Sequence, residues 1–258
     1  VYKRQAFTSY SITESYSILK DHIPEDTCKL IEKSIKKAAY FIAKGDKEED
    51  HLANHHAMAC LAVWKAHKLF KDEDLLKAYK KLWNGFLNYH VSDEGWSLEY
   101  DGIDPGYLSA TVSFLGKIYQ DYPDDQIREV CQSSIKTCSY FAYPNGFYGG
   151  SIGSRNTLHF YPHGFEIFGS EFPLAQTVAE KMLHGLKEGK IVPPSIMSDR
   201  YLFYRVPEFL QSYIDFSERT KDMEKLPSQS DSLYKYFPIA KIWAKSDRNN
   251  YIIVISNS

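Results

Sequence analysis

Polar and apolar residues follow two different patterns along this chain. From Pro24 to Ala43, Leu30, Ile31, Ile35, Ala38 and Ile42 recur at helical spacing. Lys29, Glu32, Lys33, Lys36 and Lys37 take the other side. That is a helix with one wet face, with Asp26 near its start and Gly45 after its end. From Ala57 to Trp64 the sequence AMACLAVW is apolar all round, which predicts a helix buried on every side. The alternation continues. Asp74 to Tyr89 is amphipathic, with Lys77, Lys80 and Lys81 outside, and Tyr107 to Tyr119 carries no charge before Lys117. Asp124 to Tyr140 is charged on one side through Arg128, Glu129 and Lys136, and Phe172 to Leu183 is mostly apolar. Pro207 to Phe216 reads as one more helix. Alternating wet-faced and dry helices are what two concentric rings require, because the inner ring meets only protein. A plain antiparallel bundle would give every helix a wet face.

The connections fit this reading. Short turns around Lys71–Glu73 and Asp121–Pro123 alternate with long loops over His90–Gly106 and Pro144–Pro162. The long loops therefore open at one end, and long ordered loops usually carry function. His55, Tyr107 and His159 are spaced 52 residues apart, which suggests a repeating helical hairpin. After a linker at Leu226–Asp231, Ile239–Ala244 and Tyr251–Ile255 flank a polar turn at Asp247–Asn250 and predict a β-hairpin. The expected domains are a helical one over 1–225 and the start of a sheet domain over 226–258.

Composition narrows the function. The net charge of -2 over 258 residues gives no basic excess for nucleic acid. No apolar run reaches the roughly 18 residues of a membrane span. Hydrophobic residues at 43% and charged residues at 25% are ordinary for a globular protein. Aromatic residues reach 15%, with 20 Tyr. In helices such rings fill the core. In loops they either pack or stack on sugar faces. Cys28, Cys60, Cys131 and Cys138 have no metal-ligand spacing and read as small buried hydrophobes. The chain begins at Val1 and shows no secretory signal pattern, so the compartment stays open between cytoplasm and periplasm.

Three stretches carry candidate chemistry. In DHLANHHA, His51 and His55 have the four-residue spacing of zinc pairs but lack the Glu of a HExxH motif. The alternatives are polar caps on a buried helix, or contact of Asn54 and His55 with substrate. In EGWSLEYDGIDPGY, the acids Glu94, Glu99, Asp101 and Asp104 lie among Trp96, Tyr100 and Tyr107. Acids and rings in a Gly-rich loop suit sugar binding, paired carboxylates would suit glycoside hydrolysis, and capping acids in a turn are the structural alternative. In GGSIGSRNTLHFYPHGFE, Arg155 offers a carboxylate-matching fork, followed by Asn156, His159, Tyr161 and His163. Its glycines would let backbone approach a ligand, unless the loop is only tightly folded. Together these residues fit β-elimination on a uronate sugar. Arg155 and Asn54 would bind and neutralise the carboxylate, His55, His159 or Tyr107 would remove the acidified C5 proton, and an acid such as Tyr107 would protonate the leaving oxygen. No metal or organic cofactor is needed.

At these residues the chain resembles the heparinase II/III-like family, which includes related alginate lyases. The Asn54-His55 pair opens a dry helix, Tyr107 follows an acidic aromatic loop, and YFPIAKIWAKSDRNNYIIVIS is similar to the family's first sandwich strands. The resemblance implies an incomplete (α/α) toroid followed by a β-sandwich, of which these residues would be a truncated start. It implies that Asn54 and His55 orient the uronate carboxylate and that Tyr107 is the general acid. Family lyases also draw a histidine from the sandwich, and these 258 residues run only into its opening strands. The GSRNT loop is similar to helical proteins of bacterial surface-polysaccharide clusters. The expected partner is an acidic polysaccharide. The other readings are a toroid glycosidase using Glu94, Glu99, Asp101 or Asp104, and a non-catalytic glycan-binding or assembly module.

Overall fold

The dry stretch around Ala57 is the middle of a helix sealed on all sides, Ala53–Phe70, with every residue from Ala57 to Trp64 buried. It belongs to a computed structural model that describes residues 2–45, 52–149, 152–197 and 199–256. The chain divides into two compact units, 1–89 and 90–258.

The first unit holds four helices: α1 (Tyr2–Leu19), α2 (Glu25–Ala43), α3 (Ala53–Phe70) and α4 (Glu73–Leu87). Helix α3 packs on the other three. Helix α1 was not predicted. Its sequence is crowded with Ser and Thr, which lower helix propensity by bonding to nearby backbone. Here that bonding runs along the helix: Ser11, Thr13 and Ser17 each donate to the carbonyl four residues earlier. Ala6, Tyr10, Thr13 and Tyr16 then form the buried stripe.

The second unit begins with a two-stranded ribbon, β1 (His90–Val91) and β2 (Trp96–Ser97). It continues through α5 (Pro105–Asp121), α6 (Asp125–Ser139), α7 (His163–Ile167), α8 (Pro173–Lys187) and α9 (Asp199–Ile214). An antiparallel sheet, β3 (Ser232–Phe237), β4 (Ile242–Asp247) and β5 (Tyr251–Ile255), completes it in that strand order. The fold is thus mainly helical with a small C-terminal sheet. The predicted hairpin is present, but β3 adds a third strand. Helix α9 runs through Pro207 and starts eight residues earlier than expected.

The wet and dry alternation holds from α3 to α6, but Phe172–Leu183, expected to be dry, lies in α8, which buries one face only, and the buried element there is the short α7. Every residue of α5 from Leu108 to Ile118 is buried, whereas α6 keeps a charged outer side. The 52-residue spacing holds between the first two of these hairpins but not the third, since α7 and α8 start at His163 and Pro173 and His159 precedes α7. Helices α3 and α5 start at Ala53 and Pro105, α4 and α6 at Glu73 and Asp125. Their N-caps Asp72 and Asp124 each accept the amides two and three residues on. Within the second unit, hydrogen bonds join residues one period apart: the Tyr161 amide to Ser109 Oγ at 3.0 Å and Tyr119 Oη to Glu171 at 2.9 Å. Within the second unit these bonds set the 161–171 stretch beside α5.

Helix α7 sits so close to α5 that a Cβ at Gly164 would fall 2.7 Å from Ser113 backbone. Cys60, Cys131 and Cys138 are buried free thiols as expected. Cys28 is only half-buried, with its Sγ near the Lys20 and Ile23 carbonyls. It lies at the start of an outward-facing helix rather than in a core.

Candidate functional site

The two long loops of the second unit meet at the start of α5, and Asp104 joins them. Its Oδ1 accepts the Tyr107 amide at 3.0 Å, which caps the helix. Its Oδ2 accepts the Arg155 amide at 3.1 Å and the Thr157 amide at 3.3 Å. Pro105 occupies the first helical turn, where its missing N–H costs nothing. Two further bonds tie the same loops: Ser154 N to the Ile103 carbonyl and Ser154 Oγ to the Glu99 carbonyl. Gly106 makes the approach feasible, since a Cβ there would fall 2.6 Å from Thr157. This glycine brings loop to loop, not loop to ligand. Asp104 is fully buried, and burial pushes its carboxyl up while the amides pull it back.

Tyr107 and Arg155, candidates from loops 48 residues apart in sequence, are thereby held on one carboxylate. Tyr107 is half-buried in the first turn of α5, and Arg155 is exposed. The Arg155 guanidinium rests on the Tyr100 ring, 4.5 Å from its centroid. Tyr100 itself has left-handed backbone, φ 58°, in the tight turn closed by Glu99 and Gly102. Asn156, also left-handed at φ 52°, is exposed beside Arg155. The surface therefore presents a cation, an amide and two phenols.

His159 is half-buried a little further on. Burial first, and the Arg205 guanidinium second, push its imidazole down to about 4, so it is neutral at pH 7. His163 is also pushed down to about 4, chiefly by burial. It is a core residue: its Nε2 lies 2.6 Å from Asp215 Oδ2 and its amide donates to Glu208. With Asp215 ionised, Nε2 carries the proton and Nδ1 is a buried acceptor.

Trp96 and Tyr161, expected to touch substrate, are core residues too. Trp96 is 3% exposed and donates its indole N–H to Glu94 Oε2 at 2.7 Å. Tyr161 packs edge-on to Phe114 beneath Arg205. Glu94 spends its second oxygen on the Ile239 amide and shares the first with Ala240, which ties the sheet to the ribbon. Glu94 and Asp104 are thus structural, leaving buried Glu99 and exposed Asp101 from the four acids of that loop. Asn54 and His55 are buried in the first turn of α3, within the first unit. His51 and Asp50 lie outside the described residues, as do Gly150 and Ser151.

Some residues carry the site without having been singled out. Lys117, Glu208 and Ser113 form a buried cluster beneath α7. Arg205 lies fully buried next to the His159–Tyr161 segment. Only the lone charge at Lys117 in a dry helix was a signal in the sequence. Among the described residues no group of three or more His, Cys, Asp or Glu is placed to hold a metal ion. No helix of the described residues is long and apolar enough to cross a membrane.

No protein-family model matches the chain, and no curated protein matches it either. Solved structures do. A polysaccharide lyase superposes with a TM-score of 0.59 at 11% identity, over 81% of this chain and 71% of that one. An inactive variant of an α-1,6-mannanase, GH76A of Salegentibacter sp. HEL1_6, with two consecutive aspartates replaced and α-1,6-mannotriose bound, superposes with a TM-score of 0.59. That match has 15% identity over 87% of this chain and 72% of that one. A second variant of the same mannanase, bound to α-1,6-mannotetrose, gives a TM-score of 0.58 at 14% identity, over 83% and 71%. At such identities the likeness is one of fold: this chain shares its helical architecture with a lyase and a mannanase.

Proposed function

We propose that this chain belongs to a glycan-processing enzyme, that its hairpins form an incomplete (α/α) toroid, and that it cleaves uronate-containing polysaccharide by β-elimination at the loop end of α5. The observation that carries the reading is the Asp104 tie, which fixes an exposed guanidinium and a half-buried phenol on the same two loops. The shared fold with a polysaccharide lyase and a mannan-bound mannanase supports a glycan as partner.

The chemistry follows from those groups. Arg155, with Asn156 beside it, pairs with the substrate carboxylate and so acidifies the C5 proton. The neutral imidazole of His159, or the deprotonated phenol of Tyr107, takes the C5 proton. The C5–H electron pair forms the C4=C5 double bond as the C4–O bond breaks. The departing glycosidic oxygen takes a proton from a tyrosine hydroxyl, Tyr107 in this reading. Tyr100 supports the Arg155 side chain and offers a ring face to sugar.

The mannanase likeness favours a second reading, a glycosidase. It has less support in this chain's carboxylates. Its one pair of consecutive aspartates, Asp124–Asp125, starts α6, and Asp124 spends an oxygen on capping that helix. The two readings separate in one assay. Purified protein is incubated with a panel of uronate polymers and with α-1,6-mannan. Ultraviolet absorbance of unsaturated uronate, rising with new reducing ends, supports elimination. New reducing ends without the chromophore support hydrolysis. Silence across all the uronate polymers would sink the lyase reading.

A further inference from the structure

Arg205 is fully buried, yet it lacks a counter-ion among the described residues. Its Nη2 donates to the Phe160 carbonyl at 2.7 Å. Its Nε and Nη1 have no acceptor. Its guanidinium lies over the rings of Tyr161 and Phe209, 4.1 and 5.1 Å from their centroids. The other buried cation of this core, Lys117, uses Glu208 and Ser113. Glu166 is held by Arg219. Ring faces soften the cost of burying a guanidinium but supply no acceptor oxygen. A buried charge without a partner is among the most expensive arrangements a core can hold.

We infer that Arg205 is an anion-binding residue, and that the carboxylate of an acidic sugar completes its hydrogen bonds. Three observations lead there. The unsatisfied Nε–H and Nη1–H groups match an oxyanion acceptor. The residue is anchored by the carbonyl that follows His159, so it belongs to the loop that carries Arg155 and Asn156. The charge of Arg205 reaches the His159 imidazole, which is partly open to solvent. A ligand carboxylate there would neutralise the buried cation at no further desolvation cost to the protein. This deepens the glycan reading and rests on it: besides Arg155 it names a second, buried cation that selects for charge.

The test measures binding of glucuronate- and galacturonate-containing oligosaccharides by titration calorimetry. Matched neutral and sulfated oligosaccharides form the other arms. The proteins are wild type, Arg205→Met and Arg205→Lys, with folding checked by circular dichroism. The expected result is uronate binding weakened at least tenfold by Arg205→Met and several-fold by Arg205→Lys, because one ammonium cannot serve both Phe160 and an oxyanion. Neutral sugars should bind all three alike. A folded Arg205→Met protein with wild-type uronate affinity overturns the inference. If Arg205→Met does not fold, a folded Arg205→Lys protein with undiminished affinity overturns it equally. Wild type that binds only the sulfated arm, or does not distinguish charged from neutral sugar, also overturns it. Arg205-dependent uronate binding without unsaturated product leaves the inference standing and removes the lyase reading. Unsaturated product at an undiminished rate from folded Arg205→Met does the reverse.

Discussion

Lys117 Nζ lies 2.7 Å from Glu208 Oε2, with the two side chains 2% and 3% exposed, so α5 and α9 are joined by an ion pair inside the core. The remaining valences are filled: Ser113 Oγ donates to Glu208 Oε1 and accepts from Lys117, and the His163 amide completes the carboxylate. Desolvating two charges is costly, and the pair survives because nothing is left unpaired. Removing one partner strands the other. Lys117→Met or Glu208→Gln is expected to lower unfolding free energy by about 3–5 kcal/mol in urea denaturation. The double variant Lys117→Met/Glu208→Leu should cost less than the sum of its singles.

Acid should weaken the second unit in two stages. His90, His159 and His163 are all pushed down to about 4 by burial, while in the unfolded chain they titrate near 6.5. Between those values the unfolded chain binds more protons, so stability present above pH 6.5 is lost as pH falls toward 4. Burial pushes Glu208 up, but Lys117, His163 and its hydrogen bonds outweigh that and hold it at about 2. Its contribution is present above about 4.5 and is lost as pH falls toward 2. Thermal unfolding followed from pH 7 to pH 3 should show the first loss diminished in His163→Gln. An unchanged profile in that variant would count against a neutral buried His163.

Asp104 serves both loops at once, so its loss should be felt as loop opening. Asp104→Ala removes a helix cap and strands the Arg155 and Thr157 amides. The expected cost is about 2–4 kcal/mol. Hydrogen exchange over 152–158 should accelerate, and glycan turnover should fall with it. Unaltered exchange there would mean that other contacts hold the loops.

Glu94 joins the sheet to the ribbon. Glu94→Ala deprives the Trp96 indole and the Ile239 and Ala240 amides of their acceptor. About 3 kcal/mol or more should be lost. Limited proteolysis should then cut near 238–241 before the helices.

Tyr107→Phe removes one oxygen from a half-buried ring and leaves the cap to Asp104 intact, because that bond uses the Tyr107 amide. Turnover should be abolished with glycan binding and melting temperature near wild type. Arg155→Ala should act on binding of acidic glycan. A Tyr107→Phe protein with full turnover would remove the tyrosine from the chemistry.

Helices α2 to α6 and their alternation were legible in the sequence because each depends on neighbours three and four residues away. The 52-residue step was legible from His55 to Tyr107, where the helix starts and the caps Asp72 and Asp124 repeat it, but not on to His159, after which the helices start at other intervals. Helix α1 was not, because its Ser and Thr conceal the stripe. The roles of the acids were settled only by partners distant in the chain. Asp104 looked like a candidate acid until Arg155 and Thr157, more than 50 residues on, took its oxygens. Glu94 answers to residues 145 and 146 positions away, Lys117 to one 91 positions away. Local periodicity decides where backbone hydrogen bonds close. Burial and the pairing of charge depend on which segments meet, and only the folded chain decides that.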